Sequence, residues 1–341
     1  MSMSFGQNLT QLRKMRGWSQ QDLAQNLGVS RQTVIAFEQG QRVPPLNLAI
    51  KLADLLGLSL DTLVSPLRNM PRAQHPEWIL GTAPELSGPA AWGWVQGRPI
   101  IVPWQFLSAP EQPDLWWDAE RQQLTPLPHA RAPEHVLLIG GCDPFVAWIK
   151  SVYQRQFPGY WLEPIQLSSQ SALQALKAGW IAVAGSHLWD EQSRSYNQVD
   201  AFFPFAITRI PYLEWDEGRI SRPDDPSSAS TSWAVREPGS EAHALFRRRV
   251  TLNPNQNVQV FSSHRALIEA IAHGHQQAGV SVGSLAALTG LSFEPWATES
   301  YDWIARTVDI STPWFTRWQD TLSSAPLAAS YAKTSWLRRV P

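Results

Sequence analysis

A single cysteine, Cys142, stands in a chain of 341 residues. No disulfide can form within the chain, and a reducing compartment is expected. No run approaches the ~20 apolar residues that cross a bilayer. The opening MSMSFGQNLTQLRKMRGW lacks the apolar centre of a signal segment. The expected location is cytoplasmic, with no membrane partner. No Gly-x-Ser-x-Gly motif, phosphate-loop motif or paired metal motif is read, so the expectation is no enzyme, no catalytic residue, no cofactor and no metal site. Charge of one sign is also lacking, with a net of −1.

What charge there is lies unevenly. Residues 1–72 carry eight basic and four acidic side chains, and the remainder 20 and 25. A basic head on an acidic body predicts a polyanion partner for the head. Eighteen tryptophans are read mainly as core area rather than as ligand cages.

The head parses into short helices. Leu9, Leu12 and Met15 form one stripe. Ser19 caps QQDLAQNLG, with Asp22 three residues on, and Gly28 ends that helix. Ser30 caps RQTVIAFEQG, which Gly40 ends. LNLAIKLADLLG closes at Gly57, and SLDTLV is a fifth helix. Two brief helices around Gly28-Val29-Ser30 fit helix-turn-helix geometry. Arg31, Gln32 and Thr33 then face base edges, where arginine suits guanine, glutamine suits adenine and a threonine methyl suits thymine. Ser19 and Gln20 face phosphates. The paired signatures SQQDLA and GVSRQTVIAFEQG resemble the lambda-repressor-like (Cro/CI, XRE-type) helix-turn-helix family across nearly the whole head. The resemblance implies double-stranded DNA as partner, contacts from Gln20, Arg31, Gln32 and Thr33, and a backbone contact from Arg42.

Residues 67–132 read as a linker with a small β subdomain. AWGWVQGRPIIVPW gives two strands around Gln96-Gly97, and DLWWDAERQQLTPLP gives a pair turning at Ala119-Glu120-Arg121. From residue 133 strands alternate with helices, an α/β succession with mainly parallel sheets. Two long extended stretches, FFPFAITRIPYLEW and LSFEPWATESYDWIART, connect its halves. They predict two lobes with a hinge, and a ligand site where strands give way to helices. Those turns hold Asp143 beside Cys142, then Ser168, Ser169 and Ser171, then Ser186 and His187, then Arg236, Gly239 and Ser240. Serine hydroxyls with helix N-termini suit an oxyanion, although each serine also reads as a plain helix cap. Cys142 is read as a small buried residue without a nearby base. His264, His273 and His275 read as a helix ending at Gly274 rather than a metal site.

Residues 135–310 resemble a type II periplasmic-binding-protein-like domain related to molybdate-binding regulators. AGSHLWDEQSRSYN is similar to that family's Gly-x-His-Leu-x-Asp turn followed by Tyr-Asn, which implies His187, Tyr196 and Asn197 as lining residues. VREPGSEAHALFRRR resembles the family's Arg-x-x-Gly-Ser-Gly-x-Arg helix start, with Arg236, Gly239 and Ser240 matching. Glu241 stands where glycine is usual and His243 where arginine is usual. The expected protein is multidomain: an all-α head over 1–66, the β linker over 67–132, and a two-lobed α/β body over 133–341. Its expected role is a homodimeric one-component transcriptional regulator whose body binds a small anionic ligand, molybdate, tungstate or a molybdenum-cofactor-like molecule. The alternative is a ligand-independent DNA binder whose body serves oligomerisation or partner contact.

Overall fold

The computed structural model describes residues 5–39, 41–56, 76–108, 110–225 and 232–339. These divide into two compact units. One takes the described residues up to 76 together with 85–89 and 113–132; the other takes 77–84, 90–112 and 133 onward.

The first unit opens with α1 (Phe5–Met15), α2 (Gln20–Leu27), α3 (Arg31–Glu38) and α4 (Leu46–Leu56). Ser19 and Asp22 form a reciprocal capping box at α2, and Gly28 leaves it at φ 77°. Ser30 Oγ accepts the Thr33 N–H at the start of α3. These caps satisfy backbone donors that the short helices leave open, and they fix the turn between α2 and α3. Leu9, Leu23, Leu27, Val34, Phe37, Leu52 and Leu56 close the core. Beside it, Arg13 grips Glu38 through two nitrogens, at 2.6 and 3.2 Å. The expected helix over 59–64 and the helix-ending glycines Gly40 and Gly57 lie outside the described residues.

The second unit begins with β1 (Glu77–Trp78), β2 (Gly88–Val95, from residue 90 on) and β3 (Arg98–Pro103). Gln96 and Gly97 both take positive φ, 51° and 80°, as a tight two-residue hairpin requires. In the first unit, β4 (Leu115–Asp118) and β5 (Gln123–Pro126) pair as the other expected hairpin. The β2–β3 hairpin is not a free-standing linker module: Ala91, Val95, Ile100 and Val102 share one core with Leu138, Ile165 and Leu173 of the body.

In the body, β6 (Val136–Gly141), α5 (Val146–Gln156), β7 (Trp161–Gln166), α6 (Ser169–Ala178) and β8 (Val183–Ser186) form a first lobe. The short ribbon β9 (Trp189–Asp190) and β10 (Ser195–Tyr196) follows it. A 15-residue strand, β11 (Ile207–Ser221), crosses to a second lobe. That lobe holds β12 (Ser232–Arg236), α7 (Glu241–Arg249), β13 (Asn257–Phe261), α8 (His264–Ala272), β14 (Ala278–Val282) and α9 (Gly283–Thr289). A second 15-residue strand, β15 (Ser292–Arg306), returns. The sheet was expected to be mainly parallel. It is instead one mixed path, β13-β12-β14-β11-β15-β8-β6-β7, in which two parallel triplets are joined by the antiparallel β11–β15 pair. The long strands are therefore the connection between lobes, as a hinge requires.

Beyond β15 the sequence reading assigned nothing. There α10 (Pro313–Leu322) and α11 (Ala325–Tyr331) bring Phe315, Trp318 and Tyr331 onto the first lobe's core, against Ile149 and Tyr153, and β16 (Leu337–Arg339) pairs with β11. Trp215, Trp303 and Trp318 are fully buried, so the tryptophan content is in large part core, as expected.

Candidate functional site

In the head, Arg31, Gln32 and Arg42 are exposed. Thr33 is half-buried, with its hydroxyl 2.8 Å from Ser30 Oγ. Gln20 differs from the expectation: its side-chain amide donates to Glu38 Oε2 at 2.8 Å. A DNA contact through that nitrogen would first have to break this bond, so the open donors of the turn are Arg31 and Gln32.

In the body, the residues expected to line a cleft separate into two groups. The first group does converge. His187, just after β8, donates from its backbone N–H to Ser169 Oγ at 3.3 Å. Its Nε2 lies 3.1 Å from Cys142 Sγ, and its Nδ1 lies 2.6 Å from Glu299 Oε2. The expectation that Cys142 has no nearby base is therefore wrong: residues 45 apart in sequence meet because β6 and β8 are neighbours. Across the cleft, Gly239 sits at φ 93°, and a Cβ there would stand 2.9 Å from Gln170 Oε1 and 3.6 Å from Ser168 Oγ. The Gly239 turn of the second lobe thus abuts the α6 start of the first. Tyr196 packs edge-on against Trp189.

The second group is committed elsewhere. Ser168 and Ser240 are helix caps, accepting from the Ser171 and His243 N–H groups, and the Ser171 hydroxyl bonds to Ser168. Arg236 turns two nitrogens to Glu237 and donates to the Ser262 carbonyl. His243 donates from Nδ1 to the Arg236 carbonyl. Asn197, in a left-handed conformation at φ 59°, ties the ribbon to β15 through Ser300 O and Asp302. Ser186 Oγ accepts from the Leu188 N–H at 3.5 Å. Asp143 Oδ1 accepts the Phe145 N–H, and burial lifts its carboxyl to about 7. These residues brace the site without opening onto it, with one exception. Nη1 of Arg236 is buried with no hydrogen-bond partner among the described residues.

The residues that sequence reasoning missed are Glu217 and Glu299. Trp215 is the register partner of Glu299 across β11 and β15, and Glu217 follows two residues on. A strand's side chains alternate, so Trp215, Glu217, Glu299 and Tyr301 share one face. Glu217 and Glu299 are fully buried, as is His187. Among the described residues neither Glu217 oxygen has a hydrogen-bond donor, and Glu299 Oε1 lacks one as well. Trp215 Nε1 donates to Glu299 Oε2 at 3.2 Å. One ligand atom from each of His187, Glu217 and Glu299 falls within 4.8 Å of the others, a constellation that the expectation of no metal site did not contain. Glu241, at the start of α7, accepts from the Trp189 N–H across the lobes and pairs with Arg248.

The electrostatics follow from this crowding. Burial and the neighbouring Glu299 push Glu217 well above the usual carboxylate range. Burial lifts Glu299 to about 8, with Glu241 adding to it. Burial pulls the His187 imidazole down, but Cys142, Glu217 and Glu241 outweigh it and raise it. Burial and the same three glutamates raise the Tyr196 phenol. The interlobe site is acidic.

The expectation that the chain holds no Gly-x-Ser-x-Gly motif is wrong. GVSVG over 279–283 has Gly-x-Ser-x-Gly spacing. Its serine, Ser281, lies inside β14, fully buried, with Oγ 2.8 Å from His264 Nδ1. Ser281 is not among the residues at positive φ, so it lacks the strained, exposed elbow a serine nucleophile uses.

Comparison with known proteins matches these two parts. Residues 151–323 match the PBP superfamily domain, and residues 9–63 match a helix-turn-helix model. The uncharacterized HTH-type transcriptional regulator MJ0272 of Methanocaldococcus jannaschii is 45% identical over 51 residues, 15% of this chain and 77% of that protein. AnsR of Bacillus subtilis, an HTH-type transcriptional regulator, is 41% identical over 56 residues, 16% of this chain and 48% of AnsR. Among solved structures, a putative phosphate ABC transporter substrate-binding protein with bound phosphate from Clostridium perfringens aligns at TM-score 0.48 and 11% identity, over 60% of this chain and 100% of that one. The regulatory domain of a LysR family regulator from N. meningitidis aligns at TM-score 0.42 and 12% identity, again over 60% and 100%. The chain belongs to the helix-turn-helix transcriptional regulators and carries a periplasmic-binding-protein (PBP) superfamily body. No helix among the described residues is long and apolar enough to cross a membrane.

Proposed function

We propose that this protein is a one-component regulator that binds operator DNA through α3 and a small ligand between the lobes of its body. It acts as a homodimer on a two-fold-related site, in the compartment that holds the DNA. The observation that carries the reading is the exposed pair Arg31 and Gln32 on a capped helix start. In this reading ligand binding shifts the lobes, and the shift alters how two heads are spaced. In this reading the role is regulatory rather than enzymatic, and the Ser281–His264 pair, both buried, serves as packing. Selection of binding fragments from a random DNA pool, followed by gel shift, tests the head. Arg31→Ala is expected to weaken the selected site by ~5- to 150-fold, equivalent to about 1–3 kcal/mol, and to relax its sequence preference. Unchanged affinity and preference would sink the DNA reading.

A second reading of the ligand keeps the oxyanion, molybdate or tungstate. It is supported by the buried, unpartnered Nη1 of Arg236. The acidic Glu241, at the same helix start, opposes it by repulsion. Calorimetry with molybdate, tungstate, sulfate and phosphate separates the possibilities. Binding that is lost in Arg236→Ala supports the oxyanion, and silence with all four at millimolar concentration removes it. A protein that binds DNA identically with every ligand tried would be the ligand-independent regulator.

A further inference from the structure

We infer that His187, Glu217 and Glu299 form a binding site for one divalent transition-metal ion, at the crossing of the two hinge strands. This rests on the reading of the interlobe region as the ligand site, and it names the ligand's chemical class.

The geometry is that of a three-ligand site. The three donor atoms lie within 4.8 Å of one another. Ions of this class bind nitrogen and oxygen at ~2.1 Å, which spaces donors ~3–4 Å apart, so small side-chain shifts complete the fit. Each donor comes from a different strand: His187 follows β8, Glu217 is on β11 and Glu299 is on β15. The hydrogen bonding points to a cation. Both oxygens of Glu217 are buried without a donor, and so is Glu299 Oε1. Nearby nitrogen donors are already assigned: Trp215 serves Glu299, and Arg248 serves Glu241. A carboxylate pair sealed from water requires either a shared proton or a positive ion. A divalent ion balances two carboxylates.

The donor set narrows the choice. An imidazole with two carboxylates suits Zn²⁺, Mn²⁺, Fe²⁺ or Ni²⁺ better than Mg²⁺ or Ca²⁺, which take oxygen alone. With Nδ1 on the ion, Nε2–H of His187 would donate to Cys142 Sγ, which already stands at 3.1 Å. Metal-bound histidines characteristically have such an outer partner to fix the ring. Three protein ligands leave a further position for water or a small donor molecule.

The test uses the full-length chain, stripped with chelator and dialysed against ZnCl₂, MnCl₂, NiCl₂ or MgCl₂ alone. Bound metal is counted by elemental analysis, and affinity is measured by calorimetry. One transition-metal ion per chain is expected, without Mg²⁺ binding of comparable strength. Glu217→Gln is expected to weaken that binding by about 100-fold or more, beyond the loss that an outer partner alone causes. Circular dichroism melting verifies its fold, and Glu299→Gln, in which Trp215 keeps an acceptor, repeats the test independently. No binding of any transition metal to the wild type would overturn the inference and leave a shared proton between the glutamates. Equal binding in wild type and folded variant would overturn it too, assigning the metal to exposed histidines such as His273 and His275. A gel shift on the same preparations separates the two readings: DNA binding without metal binding removes only the metal, whereas absent DNA binding removes the regulator.

Discussion

Nε2 of His187 stands 3.1 Å from Sγ of Cys142, and both side chains are sealed from solvent. Among the described residues the thiol is the hydrogen-bond partner on that edge of the ring, Nδ1 being held by Glu299. Cys142→Ala leaves a buried ring nitrogen unsatisfied and is expected to cost about 1–3 kcal/mol. Cys142→Ser restores a partner and is expected to cost less. Urea denaturation of both variants checks the order; equal losses would mean that the contact contributes nothing beyond packing.

Asp143 sets a pH dependence. Burial raises its carboxyl to about 7, against the opposing hydrogen bond from the Phe145 N–H. Between roughly pH 4, its ordinary range, and pH 7 the native state holds a proton that the unfolded chain has released. Stability therefore falls as pH rises through that window, by up to about 1.4 kcal/mol per pH unit from this group. Asp143→Asn keeps an acceptor for Phe145 and removes the titration. Its denaturation midpoint, followed from pH 4 to pH 8, should fall less steeply than that of the wild type.

Glu38 holds the head together from its C-terminal side. It receives Arg13 through two bonds and Gln20 through a third, and the Arg13 and Glu38 side chains are 8% and 6% exposed. Burial opposes its charge, but these partners hold its carboxyl below the usual range. Glu38→Ala strands a buried guanidinium and is expected to destabilise the head by about 3 kcal/mol. The expected sign is an earlier loss of helical signal on heating, together with weaker DNA binding.

Gly185 admits no side chain. A Cβ there would fall 1.7 Å from the Tyr301 hydroxyl and 2.4 Å from its ring. Tyr301 is itself enclosed by Trp215, Trp303 and His187. Gly185→Ala forces that cluster apart and is expected to cost about 1–3 kcal/mol or more. Near-ultraviolet circular dichroism reads the tyrosine and tryptophan packing directly, and an unaltered spectrum would contradict the placement.

Local features were legible in the sequence wherever one stretch of chain decides them. Ser19, Ser30, Ser168 and Ser240 cap helices because their hydroxyls reach backbone only three residues away. The two extended stretches proved to be the inter-lobe strands because length and β-rich composition speak for themselves. The floor of the site was not legible. Glu217 and Glu299 meet only through the β11–β15 register, and a one-residue slip would turn either away. The serine-rich turns suggested an anion because hydroxyls can be counted in a sequence, whereas their commitment to caps cannot. α10 and α11 escaped for a related reason: their apolar residues complete the first lobe's core from beyond the last hinge strand.

The paired strands β11 and β15 run in register from Ile207 and Arg306 to Ser221 and Ser292, with interruptions at Pro211/Leu213 and Glu217/Gly218. Such a ribbon behaves as a torsion bar, which twists more readily than it folds, and an interrupted ladder is where it yields first. The second interruption falls at Glu217 itself, beside a glycine whose Cβ would strike the Glu294 carbonyl. The molecule therefore places a buried carboxyl that receives no donor among the described residues at an interrupted joint of its axle. Whatever binds that carboxyl would act on the stiffness of the pivot, not on the reach of the jaws.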